Sequence, residues 1–287
     1  MNNTFVGNNT GQSNDEGYSN SFFGKESGFS NRIGNRNSFF GEGSGFSNSS
    51  GGGNSFFGSR CGFNSSTSSG NSFFGSSAGR QNKIGEGNSI FGAIAGYFNT
   101  NGNFNSFFGY SAGHENVNGS LNSMYGYAAG YESLGDSSSY FGARAGFFNI
   151  YGSNNTYIGN NADISSGLDS LDGSIAIGHM AKVGCHNCAV IGGTGDYAVK
   201  VGIGTDMPTL ELDVRGGGSF LNLFSSSLVT DMATLTSVEI VQVLKLKPQV
   251  DKPFDCKAAV RGSIYYDDSD KLMICTDVAG SYKWDAL

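Results

Sequence analysis

An aromatic pair followed by glycine, as in Asn37-Ser38-Phe39-Phe40-Gly41, returns every 17 residues through most of the chain. A period that short leaves few folds open. With this glycine as position zero, it stands at Gly7, Gly24, Gly41, Gly58, Gly75, Gly92, Gly109, Gly126, Gly142, Gly159 and Gly178, with one deletion and one late insertion. Four positions before it, asparagine recurs from Asn3 to Asn122, and Ser138, Asn155 and Ser174 continue the column. Three positions after it stands a small residue: Thr10, Ser27, Ser44, Cys61, then alanine from Ala78 to Ala181. A second glycine follows at +4 in nine of the eleven units, and a third near +10.

Helical hairpins are excluded, because each interior glycine costs a helix about 1 kcal/mol. The unit fits one coil of a parallel β-solenoid: one or two short strands, turned by glycines that tolerate positive φ, stacked on the next coil at about 4.8 Å. Ten or so coils make a rod about 50 Å long at that spacing. Adjacent strand residues point to opposite faces. The pairs Phe22-Phe23, Phe39-Phe40, Phe56-Phe57, Phe73-Phe74 and Phe107-Phe108 therefore send one ring into their own coil and one outward. An outward stripe of phenylalanine is an apolar patch that asks for a partner, and parallel copies about a common axis, a homotrimer, would bury it. The asparagine column reads as an internal hydrogen-bonded ladder.

Composition narrows the function classes. The chain has 17 Lys and Arg against 24 Asp and Glu, a net charge of −7, which disfavours nucleic acid as partner. Its 46 glycines would suggest low complexity, but 23 Phe and 13 Tyr in register do not fit a disordered chain. No apolar run is long enough to span a membrane, and the first residues show no basic stretch followed by an apolar segment, which says nothing of the compartment. The chain enters the repeat at Asn3 without the cap that solenoid ends need, and reads as a piece of a longer protein.

Two motifs carry a resemblance. Ser174-Ile175-Ala176-Ile177-Gly178, followed by His179-Met180-Ala181, resembles the SVAIG-x-x-A coil of the YadA-like head of trimeric autotransporter adhesins. The NSFFG-x-x-AG units look like its longer cousin in trimeric fibres of predatory bacteria and phage-type tail fibres. Val201 to Gly216, VGIGTDMPTLELDVRG, is similar to the segment that joins such shafts to a distal module. The resemblance implies an all-β, homotrimeric β-roll, extracellular or at a cell surface. The units depart from the YadA-like coil in carrying Phe where it has small residues, which bears on handedness and trimer packing. The Ser-Asp-x-Arg-Leu-Lys start of the tail-fibre chaperone domain is absent: Ser269-Asp270-Lys271-Leu272 leads into a strand. Autoproteolysis is not expected.

The expected organisation is a shaft over 1–200, a connector over 201–216 and a small β tip domain over 217–287. In the tip, Thr234 to Lys247 reads as strands, Pro248 and Pro253 bracket a turn, and Ser263–Tyr266 with Lys271–Thr276 forms a hairpin. A last strand carries Tyr282 and Trp284. With so small a core the tip is expected to trimerise as well. Tyr265, Tyr266, Tyr282 and Trp284 are candidate contacts for a glycan or protein on a target cell, with core or trimer packing as their ordinary role. Cys256 and Cys275 are a candidate disulfide, which would suit an extracellular setting, the other reading being two buried thiols. Cys185-His186-Asn187-Cys188 is half a zinc site at most; a local disulfide or plain packing is the simpler reading. Cys61, in the small +3 column, reads as an inward spacer. His114, His179 and His186 have no motif partner and read as surface residues. Asp267, Asp268 and Asp270, and Asp163, Asp169 and Asp172 in the insertion, are acidic turns before they are calcium sites. No cofactor is called for.

Three functions stand side by side. The first is an adhesive fibre with a rigid shaft and a binding tip. The second is ice binding by a flat solenoid face, which the Asn and Ser/Thr columns invite and the neighbouring Phe opposes. The third is a fibre-borne polysaccharide depolymerase, which needs paired carboxylates in a groove that the shaft scarcely offers.

Overall fold

The computed structural model describes residues 2–214, 248–249, 264–267, 272–278 and 281–286. The chain forms two compact units, Met1–Ser219 and Phe220–Leu287.

The first unit is a parallel β-solenoid. Its strands are three residues long: β1 (Thr4–Val6), β2 (Ser21–Phe23), β3 (Ser38–Phe40), β4 (Ser55–Phe57), β5 (Ser72–Phe74), β6 (Ser89–Phe91), β7 (Ser106–Phe108), β8 (Ser123–Tyr125), β9 (Ser139–Phe141) and β10 (Thr156–Ile158). Each pairs in parallel with the next in the same register, which sets Ser over Ser and Phe over Phe from β2 to β5. After the insertion come β11 (Asp163–Ile164), β12 (Ile175–Ile177), β13 (Lys182–Val183) and β14 (Ala189–Ile191). The twelve-stranded sheet runs from β1 to β10 and on through β12 and β14, while β11 and β13 form a parallel pair of their own. Coil-to-coil bonding continues outside the strands: Gly28 N–H donates to Ser44 C=O and Ser30 N–H to Phe46 C=O, both at 2.9 Å.

The strand faces divide as the alternation requires. Phe22, Phe39, Phe56, Phe73 and Phe107 are fully buried, as are Ile90, Met124, Tyr140 and Tyr157 at the same slot. The inner rings stack face to face, Phe22 on Phe39 with centroids 4.7 Å apart. The small column shares this core, including Cys61, fully buried, its thiol pushed up by burial.

Two buried polar columns line the interior. The asparagines before each strand do more than stack on one another. Asn37 N–H donates to Asn20 Oδ1 at 3.0 Å, and Asn37 Nδ2 donates to Gly51 C=O at 2.8 Å. Each amide thus satisfies two backbone groups in neighbouring coils. The side-chain ladder expected of that column is clearer in a second one, seven residues after the glycine, where Asn31 Nδ2 donates to Asn14 Oδ1 at 2.7 Å and Asn48 Nδ2 to Asn31 Oδ1 at 2.8 Å.

The corners use left-handed backbone. The glycine at zero has φ near +140°, as at Gly58 (+143°), open only to glycine, and a Cβ there would lie 2.4 Å from the Gly75 carbonyl oxygen. Two positions on, left-handed backbone is carried by Arg60, Ser77 and even the β-branched Ile94 (φ 51°), at a cost of about 1–2 kcal/mol each.

The coil shrinks at its C-terminal end. Gly178 and Gly192 are 14 residues apart, and the inner slot is filled by Ala176, fully buried, in place of a ring. Ile164 and Val183 turn inward there. Beyond lie a short 3-10 turn (Gly195–Tyr197) and a parallel pair, β15 (Val201–Ile203) with β16 (Leu212–Val214), within the expected connector.

In the second unit, β17 (Pro248–Gln249) pairs in parallel with β18 (Ile264–Asp267), which pairs antiparallel with β19 (Leu272–Val278), and β19 with β20 (Ser281–Ala286). The hairpin and last strand stand where the alternation predicts them. Pro248 opens a short strand instead of a turn; a first strand residue at a sheet edge owes the ladder no N–H. The strands expected over 234–247 lie outside the described residues.

Candidate functional site

An aromatic column runs along the surface of the shaft. The outward ring of each pair stacks on its equivalent one coil away: Phe23 on Phe40, Phe40 on Phe57, Phe57 on Phe74, Phe74 on Phe91, Phe91 on Phe108 and Phe108 on Tyr125, with centroids 4.6–4.8 Å apart. Phe141 continues the column at 4.9 Å from Tyr125. These rings are half-buried, and Phe141 is exposed. Their faces cover one another, so the column presents ring edges. Beside it on the same strand face runs the serine column of Ser38 and Ser55.

A second external column stands five residues after the glycine. Phe29 stacks on Phe46 at 4.9 Å and Phe46 on Phe63 at 4.8 Å. The Arg80 guanidinium then lies between the Phe63 and Tyr97 rings, 5.4 Å from each centroid, and donates to the Tyr97 hydroxyl. His114 sits between Tyr97 and Tyr131 at 5.3 and 4.8 Å, and Phe147 closes the column 5.2 Å from Tyr131. His114 Nδ1 also lies 2.9 Å from Glu115 Oε1. The expectation that His114 is a plain surface residue is thus corrected: its ring is a half-buried rung of a stack. The sequence held a signal for this column, the 17-residue recurrence of Phe29, Phe46 and Phe63. Arg80 and His114 hide it from a search for apolar periodicity.

Comparison with protein-family models, with curated proteins and with solved structures found no match.

The remaining candidates fall into place separately. Cys185 and Cys188 form a disulfide, Cα atoms 5.6 Å apart, so neither thiolate is free for a metal. Asp163 is buried, its carboxylate accepting the Phe148 N–H at 2.9 Å and the Ile164 N–H at 2.8 Å. Burial raises its pKa to about 6 against the pull of those N–H groups and of Lys182, its cross-strand neighbour. Asp169 and Asp172 are exposed, so the three acids of the insertion do not converge. Beside Asp163 a cavity of about 460 Å³ is lined by Phe148, Ile150, Ile164, Leu168 and Lys182 among others.

In the second unit Tyr265 and Tyr266 stand in β18 opposite Met273 and Leu272, and Tyr282 and Trp284 in β20 opposite Asp277 and Cys275. Cys275 is thus a strand residue, while Cys256 lies outside the described residues, and with it the proposed Cys256–Cys275 bridge. Asp267 ends β18, and Asp268 and Asp270 lie outside the described residues.

Proposed function

We propose that the chain is part of an extracellular homotrimeric fibre, an adhesin whose solenoid is a stiff spacer and whose C-terminal β unit contacts a glycan or protein on a target cell. The observation that carries this reading is the outward column from Phe23 to Phe141, a continuous, half-exposed aromatic stripe. A column of this kind left in water is an apolar patch that soluble chains ordinarily cover, and a second parallel copy with the same coil spacing covers it rung by rung. Stiffness follows from the stacking: each coil is bonded to its neighbours through strands, asparagine amides and rings together. Ring edges, rather than open ring faces, make the shaft a poor sugar platform, which leaves recognition to the C-terminal unit, where Tyr265 and Tyr266 stand in β18 and Tyr282 and Trp284 in β20. Neither nucleic acid nor membrane insertion belongs to this reading, and it includes no catalysis.

The test is a binding assay of the trimer on glycan arrays and on whole cells, with the full chain and with a chain ending at Ser219. The reading expects binding by the full chain and its loss on truncation. Binding retained in full by the truncated shaft would overturn the assignment of recognition to the C-terminal unit.

A further inference from the structure

The two external columns have the same length. The column one residue before the glycine is aromatic from Phe23 to Phe141, and the column five residues after it is ring-bearing or cationic from Phe29 to Phe147, eight rungs each in the same eight coils. Both stop together at each end. In the first coil the equivalent positions are Val6 and Gln12, and after the eighth rung they are Ile158 and Ile164, the last of these 2% exposed and turned into the core. Two surfaces that begin and end in the same coils are constrained by something that touches both.

A cyclic trimer supplies that constraint. Each subunit of a ring meets its two neighbours through unlike surfaces, because the contact is head to tail around the axis. We infer that the Phe23–Phe141 column of one copy packs against the Phe29–Phe147 column of the next, with the turn between the two columns at the centre of the assembly; this rests on the trimeric reading above. Three observations select a second copy as the occupant. The rungs recur at 4.6–4.9 Å in the first column and 4.8–5.4 Å in the second, so only a partner with the pitch of this solenoid meets every rung. The two columns flank one turn, as Phe40 and Phe46 flank Gly41 to Gly45, a segment with left-handed backbone at Gly43 and Gly45, so a partner that reaches one column at this corner has the other only six residues away in the chain. Their chemistry is complementary: the first is uncharged, while the second offers Arg80 and His114, and a guanidinium seated among ring edges and faces gains from cation–π contact.

The test places benzoylphenylalanine at position 57 in the full chain, and in a second variant at position 63. After irradiation, photoproducts at two and three times the subunit mass are expected. Peptide mapping should join residue 57 to the segment holding Phe46, Phe63 or Arg80 of another chain, and residue 63 to the segment holding Phe40, Phe57 or Phe74. Cross-links from 57 onto the Phe40–Phe74 column of another chain would overturn the pairing, as would a trimer by light scattering that yields no intermolecular photoproduct. A monomeric mass for the unmodified chain would instead remove the trimer reading itself, and the pairing with it.

Discussion

Within one coil Gly62 lies against the ring of Phe56, so closely that a Cβ on the glycine would stand 2.5 Å from Phe56 Cε2. The same glycine has φ +55°. One residue therefore answers to two constraints, a left-handed corner and a filled interior. Gly62→Ala combines a left-handed penalty with overpacking and is expected to cost about 2–4 kcal/mol, read as a lower unfolding midpoint in urea.

Asn71 bridges three coils. Its Oδ1 accepts the Asn88 N–H at 2.9 Å and its Nδ2 donates to Gly85 C=O at 2.9 Å. Asn71→Ala orphans the buried Asn88 N–H, at about 1–3 kcal/mol, while Gly85 C=O keeps the second amide it accepts from, Asn82 Nδ2 at 2.9 Å. Hydrogen exchange should show the loss spreading over neighbouring coils first, as nearest-neighbour coupling in a solenoid requires.

Adjacent phenylalanines are expected to fail differently. Phe73 is fully buried and Phe74 half-buried. Phe73→Ala leaves a cavity and should cost about 3–5 kcal/mol of stability. The triple change Phe40→Ser, Phe57→Ser and Phe74→Ser should keep the circular dichroism of the shaft and lower its molar mass in solution. Equal unfolding by both sets would contradict the division of faces between core and partner.

Asp163 gives the shaft a pH dependence of unusual sign. Its folded pKa is raised to about 6 from 3.8, so the folded chain holds this proton more tightly than the unfolded chain. Stability from this group is greatest below about pH 3.8, falls as pH rises toward about 6, and is level above it. The span corresponds to about 3 kcal/mol at 1.36 kcal/mol per unit. The stability difference between the native chain and Asp163→Asn, measured by urea unfolding from pH 4 to 7, should shift in favour of the Asn variant as pH rises. A difference that is flat across that range would contradict the burial of the carboxylate.

Much of this fold is legible in the sequence because each position in the coil has one dominant task. Glycine at the corner, a ring in the slot of Phe39 and asparagine at Asn37 are each required by sterics or by a buried amide, so they recur visibly. The column of Phe29, Arg80 and His114 is harder to read, since stacking accepts any flat group and apolarity is not its common property. The strand Ala189–Ile191 was hidden because the period shortens to 14 once the interior takes Ala176 in place of a ring. The role of Asp163 was invisible, because nothing in an acidic insertion says that one carboxylate folds inward to accept two N–H groups while its neighbours stay in water.

The most direct test of the central claim is the molar mass of the full chain by light scattering at low micromolar concentration. The account predicts about 90 kDa, three times the 30.0 kDa subunit. A stable 30 kDa monomer would contradict it, because the stripe from Phe23 to Phe141 would then stand in water with no copy of itself to cover it.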